Sequence, residues 1–203
     1  MGEKRTLTPV TAEQGAPVRD LAARERILGT TLRVLARVGY AKATVGGIAQ
    51  EAGVGKATVY RSWPHKAALT LDAVRTRLPD VPVDDLGDSP REILAVARAL
   101  AGLYGAPQVR AILPALISDA ATDPELALRL RTDLVEPRRD RSATVLRRAV
   151  ARGVLPPDTD VLTLLDTWAG LMLFRGVVLA GDVDDTTVRA LVAAALDSPP
   201  RLP

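Results

Sequence analysis

The twenty residues 44–63, TVGGIAQEAGVGKATVYRSW, constrain this chain more than any other stretch. Thr44 is a good helix N-cap, because its hydroxyl can accept a backbone N–H from the first turn of the helix it opens. Val45, Ile48, Ala49 and Ala52 then fall on one helical face, and Gly53 stands where a helix C′ position wants a residue that tolerates positive φ. Val54 is the apolar residue of the turn. A second short helix follows, with Val59 and either Ala57 or Trp63 pointing back at the core. What stays outside on it is Lys56, Thr58, Tyr60, Arg61 and Ser62. Two short helices joined through a glycine turn form a helix-turn-helix, and these exposed side chains suit phosphates and base edges when the second helix lies in a major groove.

Taken alone, the turn fits a plain helical hairpin equally well. The flanks separate the two readings. Upstream, Ile27, Leu28, Thr31, Leu32, Leu35 and Val38 recur at helical spacing, Arg24, Arg26, Arg33 and Arg37 take the other face, and Gly39 ends the helix with Tyr40 placed to pack back on Leu35. Downstream, Lys66 opens a helix carrying Ala68, Leu71, Val74 and Leu78, stopped by Pro79. Together these make a compact head of three to four helices.

Arg26 to Leu35, Gly39-Tyr40, Thr44-Val45, Ile48-Ala49, Ala52-Gly53-Val54, Thr58-Val59-Tyr60 and Lys66 resemble the N-terminal domain of the tetracycline-repressor (TetR) family. The resemblance covers about fifty residues. It implies an all-α dimeric transcription regulator of about nine helices, usually a repressor, that leaves a palindromic DNA operator when a small molecule binds its C-terminal domain. By the same resemblance Thr44 and Lys66 hold phosphates at helix N-termini, Tyr60 and Ser62 contact the backbone, and Lys56, Ala57, Thr58 and Arg61 face the bases. The chain departs from the pattern at Gly46 and Gly47, which cost the first turn roughly 1 kcal/mol each relative to alanine. It departs again at Gly55, which leaves the second helix without a side-chain cap, and at His65, which stands where Ser or Asn is common.

Charge distribution agrees with a DNA-facing head. Residues 1–79 hold 13 Lys/Arg against 6 Asp/Glu, whereas residues 80–203 hold 14 against 18, so a basic head sits on an acidic body. Residues 1–20 read as a flexible arm, polar and carrying Pro9 and Pro17. In it Lys4, Arg5 and Arg19 are either minor-groove contacts or part of an untidy terminus. No apolar run marks a signal peptide there, which gives the expectation of a cytoplasmic protein.

A linker rich in proline and aspartate, Pro79 to Asp88, separates the head (21–79) from a second helical domain (80–203). Ser89-Pro90-Arg91-Glu92 fits a capping box with proline at the first helical position. Helices are predicted through Ile93 to Tyr104, through Val109 to Ile117 with a kink at Pro114, and from Asp123-Pro124 to Gly153 with a bend or break at Pro137. Arg138, Arg139, Arg141, Arg147, Arg148 and Arg152 cluster on the last of these, as a salt-bridged face or as an anion-binding surface.

Val161 to Ala180 is apolar most of the way round, so it needs cover on several sides. Asp166 and Arg175 interrupt it and argue against a membrane span. With a last helix over Asp185 to Leu196 it reads as half of a four-helix dimer interface, assigned to Trp168, Leu171, Met172, Arg175, Val178, Val188, Leu191, Val192 and Ala195. In the family the effector cavity lies between the linker and these helices, where Tyr104, Ile112, Leu116, Leu134 and Trp168 are the candidate lining, each also a plausible core residue. The alternative is a DNA-binding protein with no effector, whose second domain only dimerises.

An enzyme is the competing class. The chain has a single histidine, His65, and no cysteine, so a Ser/His/Asp triad, a multi-histidine metal site and a thiol nucleophile are all out of reach. Asp84-Asp85 and Asp184-Asp185 sit at helix boundaries, where capping explains them. No GxGxxG or GxxxxGK[ST] motif is present, and no cofactor or metal is expected.

Overall fold

The computed structural model describes residues 16–202 apart from 77, 79, 82 and 83, with side chains described from residue 21 onward. Ten α-helical stretches run in order: α1 Ala16–Lys42, α2 Val45–Glu51, α3 Lys56–Ser62, α4 Lys66–Arg75, α5 Ser89–Gly105, α6 Pro107–Ala120, α7 Pro124–Arg129, α8 Glu136–Ala151, α9 Val161–Leu173 and α10 Asp185–Asp197. A π-helical turn, Leu130–Val135, joins α7 to α8 without a break, so the described residues form nine continuous helical bodies and no strand. The lone β-bridge pairs Thr159 with Arg201.

Local chemistry sets most of the helix ends. Thr44 caps α2, its hydroxyl accepting the Gly47 N–H at 3.0 Å. Gly53 takes positive φ, 66°, just after α2, where a residue without a Cβ ends a helix without a clash. Gly39, with φ 76° and ψ 166°, does not end α1 but kinks it three residues before Lys42. Ala106 is extended because Pro107 follows it, so α5 and α6 meet at a 73° bend. Helix α6 continues through Pro114.

Three boundaries differ from the sequence reading. The arm read at residues 1–20 is shortened, since α1 begins at Ala16; Lys4, Arg5 and the Arg19 side chain lie outside the described residues. The cap of α5 is Asp88 rather than Ser89, its carboxylate accepting the Arg91 N–H at 3.1 Å. Glu92, freed from that capping box, is buried and accepts the Leu86 N–H at 2.8 Å. Pro137 does not break its helix. Having no N–H and a ring that crowds the preceding carbonyl, it is accommodated by the wider Leu130–Val135 turn before it.

Two hydrophobic cores result. The first holds Ile27, Leu35, Ile48, Val59, Trp63, Leu69 and Leu71 of the head, and also Ile112 and Leu116 of α6, Leu126 of α7 and Leu134. The second holds Ile93, Val96, Leu146, Trp168, Met172 and Val192 from α5, α8, α9 and α10. The continuous helix 124–151 therefore serves the first core with its start and the second with its end.

The arginine cluster on α8 is mostly spent on ion pairs within the chain. Arg139 meets Asp166 at 2.6 Å, Arg141 meets Asp80 at 3.2 Å, and Arg148 and Arg152 each reach Glu92 at 3.3 Å. Arg152 also bonds Asp85 and, at 3.2 Å, the Ser89 hydroxyl, which ties the linker to the body.

Candidate nucleic-acid interface

Helix α3 is fixed from below by two side chains. Val59 and Trp63 are 0% and 1% exposed, which assigns the inward position beside Val59 to Trp63 and leaves Ala57 outside. Lys56, Ala57, Tyr60, Arg61 and Ser62 form the exposed face, with Thr58 half-buried at its edge. Tyr60 is 51% exposed, so its ring and hydroxyl stand on the outer face of α3. As the sequence suggests, Gly55 caps α3 without a side-chain hydrogen bond.

A Cβ built at Gly46 would stand 2.7 Å from Lys56 Cε, near the free end of a flexible side chain, so the lysine stem lies across the first turn of α2 and carries its ammonium to the junction of the two helices. Thr44 is exposed at that same junction.

Lys66 is placed differently from the other cations. Its Nζ donates to the Tyr40 carbonyl at 2.8 Å and sits 4.0 Å from the centre of the Tyr40 ring. The lysine thus holds the end of α1 against α4 by a hydrogen bond and a cation–π contact. The Tyr40 hydroxyl in turn donates to Asp119 on α6, and burial together with that carboxylate pushes the phenol's pKa up.

Sequence reasoning missed the polar links that orient this head. Asp72, 4% exposed on α4, accepts from Trp63 Nε1 at 2.9 Å, from Arg24 at 2.6 Å and from Arg129 of α7 at 2.9 Å. His65 replaces the usual Ser or Asn cap: its Nδ1 accepts the Ala68 N–H at 3.2 Å. Its Nε2 faces Asp123, 3.2 Å away, the residue that caps α7. A charged residue inside an apolar helical face, as at Asp72, was the available signal.

Behind the head, α4, α5, α6, the π-turn, α8 and α9 line a partly open cavity of about 190 Å³. Tyr104, Ile112, Leu116 and Leu134 line it as the sequence suggests. Trp168 does not, because Leu165, Asp166, Ala169 and Leu173 are the α9 residues that face the cavity while the indole is 1% exposed in the second core.

The interface assigned to α9 and α10 needs a similar correction. Trp168, Met172, Val188, Val192 and Ala195 are buried within the chain's own core, so they are not available to a partner. Leu171 and Leu191 are half-buried, Val178 is exposed, and Arg175 donates to Thr187 at 3.1 Å. The outward stripe is made instead of Thr163, Thr167 and Gly170 on α9 and Ala190, Ala193 and Ala194 on α10.

Residues 161–178 are the one described helical segment long and apolar enough to cross a membrane. Here Leu164, Leu165, Trp168 and Met172 pack into the second core, and Asp166 is paired with Arg139.

Residues 27–73 match the family described as bacterial regulatory proteins, tetR family, and residues 83–195 match the tetracyclin repressor-like C-terminal domain. The chain belongs to the TetR family. It is a DNA-binding transcriptional regulator of helix-turn-helix type and not an enzyme. It is 31% identical to the uncharacterized HTH-type transcriptional regulator YdeS of Bacillus subtilis (strain 168), a match spanning 91% of this chain and 92% of that one. It is also 31% identical to the DNA-binding transcriptional repressor TetR of Mycobacteroides abscessus, over 82% of this chain and 87% of that one. Among solved structures, the TetR family transcription regulator SCO0332 superposes with a TM-score of 0.69 at 35% identity, covering 86% of this chain and 97% of that one.

Proposed function

We propose that this TetR-family regulator is a repressor that binds a palindromic operator as a homodimer and is released from it by a small molecule. The exposed face of α3, held by buried Val59 and Trp63, is the observation that carries this reading. Lys56, Ala57, Thr58 and Arg61 face the bases, while Thr44, Tyr60 and Ser62 take phosphates, helped by the N-terminus of α2. Lys66 contributes to this indirectly, through Tyr40, as well as by its charge. The name of the relative from Mycobacteroides abscessus supports repression.

Dimerisation uses the small outward residues of α9 and α10, with Leu171, Leu191 and Val178 at the edges. Two copies then present two α3 helices to half-sites about 34 to 36 Å apart, or a multiple of that. The cavity supports the effector-controlled reading over the purely dimerising one, because a body built only to dimerise needs no hole of this size. Its walls include Val74 of α4, the helix that follows α3, so an occupant pressing there acts close to the reading head.

Selection of bound sequences from random DNA tests the core of this proposal. The expected product is a palindrome with half-site centres roughly 10 base pairs apart or a multiple of it. A single asymmetric site bound by one chain would overturn the homodimer.

A further inference from the structure

The apolar wall of the cavity is interrupted by charge where α8 begins. Arg138 lines it there; its Nη1 donates to the Leu134 carbonyl at 3.3 Å, and its Nε is buried with no hydrogen-bond partner among the described residues. The nearby carboxylates are already engaged. Asp166 holds Arg139 by two bonds, 2.8 and 2.6 Å, and Asp80 holds Arg141 at 3.2 Å. Burial, then the guanidiniums of Arg75 and Arg141, disfavour the charged form of Arg138 against the pull of Asp80, so its pKa is lowered. A guanidinium nevertheless stays protonated and cannot relieve the deficit by losing its proton.

The rest of the wall fits an apolar body. Ile112, Leu116, Leu134 and Leu165 supply hydrocarbon, and Tyr104 adds a phenol that burial keeps protonated and that no described residue hydrogen-bonds. Of the ionic groups lining the cavity, two are guanidiniums and one is a carboxylate, so the lining carries one positive charge in excess. A cavity of about 190 Å³ is somewhat larger than the roughly 150 Å³ that holds a benzene ring, which suits a body of roughly eight carbons.

We propose that the cavity takes a small apolar organic acid, its carboxylate received by the Arg138 guanidinium and its hydrocarbon body by Ile112, Leu116, Leu134 and Leu165. This rests on the effector-controlled reading above and gives that effector a chemical class. A carboxylate matches the planar donor fork of arginine and supplies the acceptor that the buried Nε lacks.

Isothermal titration of the full chain with octanoate, 4-ethylbenzoate and neutral 1-octanol tests it, in the wild type and in Arg138→Met and Arg138→Lys. The wild type is expected to bind at least one acid about tenfold more tightly than the alcohol, through the charge-assisted bonds. Octanoate and 4-ethylbenzoate distinguish a chain-shaped body from a ring. Arg138→Met should level acid and alcohol, while Arg138→Lys restores part of the preference. Equal binding of acid and alcohol by the wild type, no binding of either acid, or an acid preference that survives in Arg138→Met would each overturn the proposal. The wild-type comparison decides even where a variant fails to fold. Release of the selected operator, followed by fluorescence anisotropy, is a separate readout. An acid that binds through Arg138 and leaves the DNA complex intact supports the ligand class and removes the effector role. Release by 1-octanol with no acid preference does the reverse.

Discussion

Arg129 reaches from α7 to the buried carboxylate of Asp72 on α4, Nη2 to Oδ1 at 2.9 Å, while the other oxygen of Asp72 takes Arg24 and the Trp63 indole. One acidic side chain thus fixes the body's helix, the first helix of the head and the base of the recognition helix. Asp72→Asn keeps the shape but removes the charge that two guanidiniums share. It should cost about 2 kcal/mol in denaturant unfolding, the scale of hydrogen bonds to charged groups. An unchanged midpoint would mean that the three donors find other partners at no cost.

On the reading face, Lys56 and Tyr60 should separate charge from hydrogen bonding. Lys56→Gln is expected to lower the slope of log affinity against log salt by about 0.9, one counterion's worth. Tyr60→Phe should weaken binding by about 1 kcal/mol on every sequence and leave the slope unaltered, because a phenol neutralises no phosphate. Salt titrations on two unrelated duplexes check both.

Dimerisation is tested most cleanly outside the protomer core. Ala194 is exposed on α10, so Ala194→Arg puts a long cation on the outward stripe without disturbing the chain's own packing. Sedimentation should show monomers whose helical circular dichroism is retained, with operator affinity lost. A tight dimer surviving this change would place the interface on another face.

Acid should loosen α10 in a defined window. Asp185 holds Arg98 of α5 at 2.8 Å and Arg189 at 2.6 Å, and these bonds depress its carboxyl to about 2. A depressed carboxyl stabilises the fold above its unfolded pKa of about 3.9, and that contribution disappears as pH falls from there through about 2. Melting curves of the wild type and Asp185→Asn should therefore differ near neutrality and converge at the acid end of that window. A gap that stays constant with pH would show that the charge is not the source.

What was legible in the sequence was local. The Thr44 cap, the turn at Gly53 and most of the outward set on α3 depend on neighbours within a few residues, and the structure places these as the spacing implies, with Thr58 half-buried rather than exposed. The dimer residues on α9 and α10 were misplaced for a physical reason. A helix apolar most of the way round does not reveal which side its own chain covers, and here Trp168 and Met172 went to the protomer core. The ties from Asp72 to Arg24 and Arg129, 48 and 57 positions away, and from His65 to Asp123 are too distant in sequence to leave a periodic trace. Pro137 marked an irregularity correctly, but whether the chain would kink or widen there depended on packing at both ends of the helix.

The first core runs past the linker, taking Ile112, Leu116, Leu126 and Leu134 from the body. The DNA reader is therefore not a detachable cartridge. A chain ended after residue 79 would lay bare the apolar faces that α6 and α7 cover, and a head grafted by fusion at the linker onto another regulator would meet a wall of the wrong shape. Exchange of specificity between relatives has to carry those two helices along, or change only the side chains on the outer face of α3.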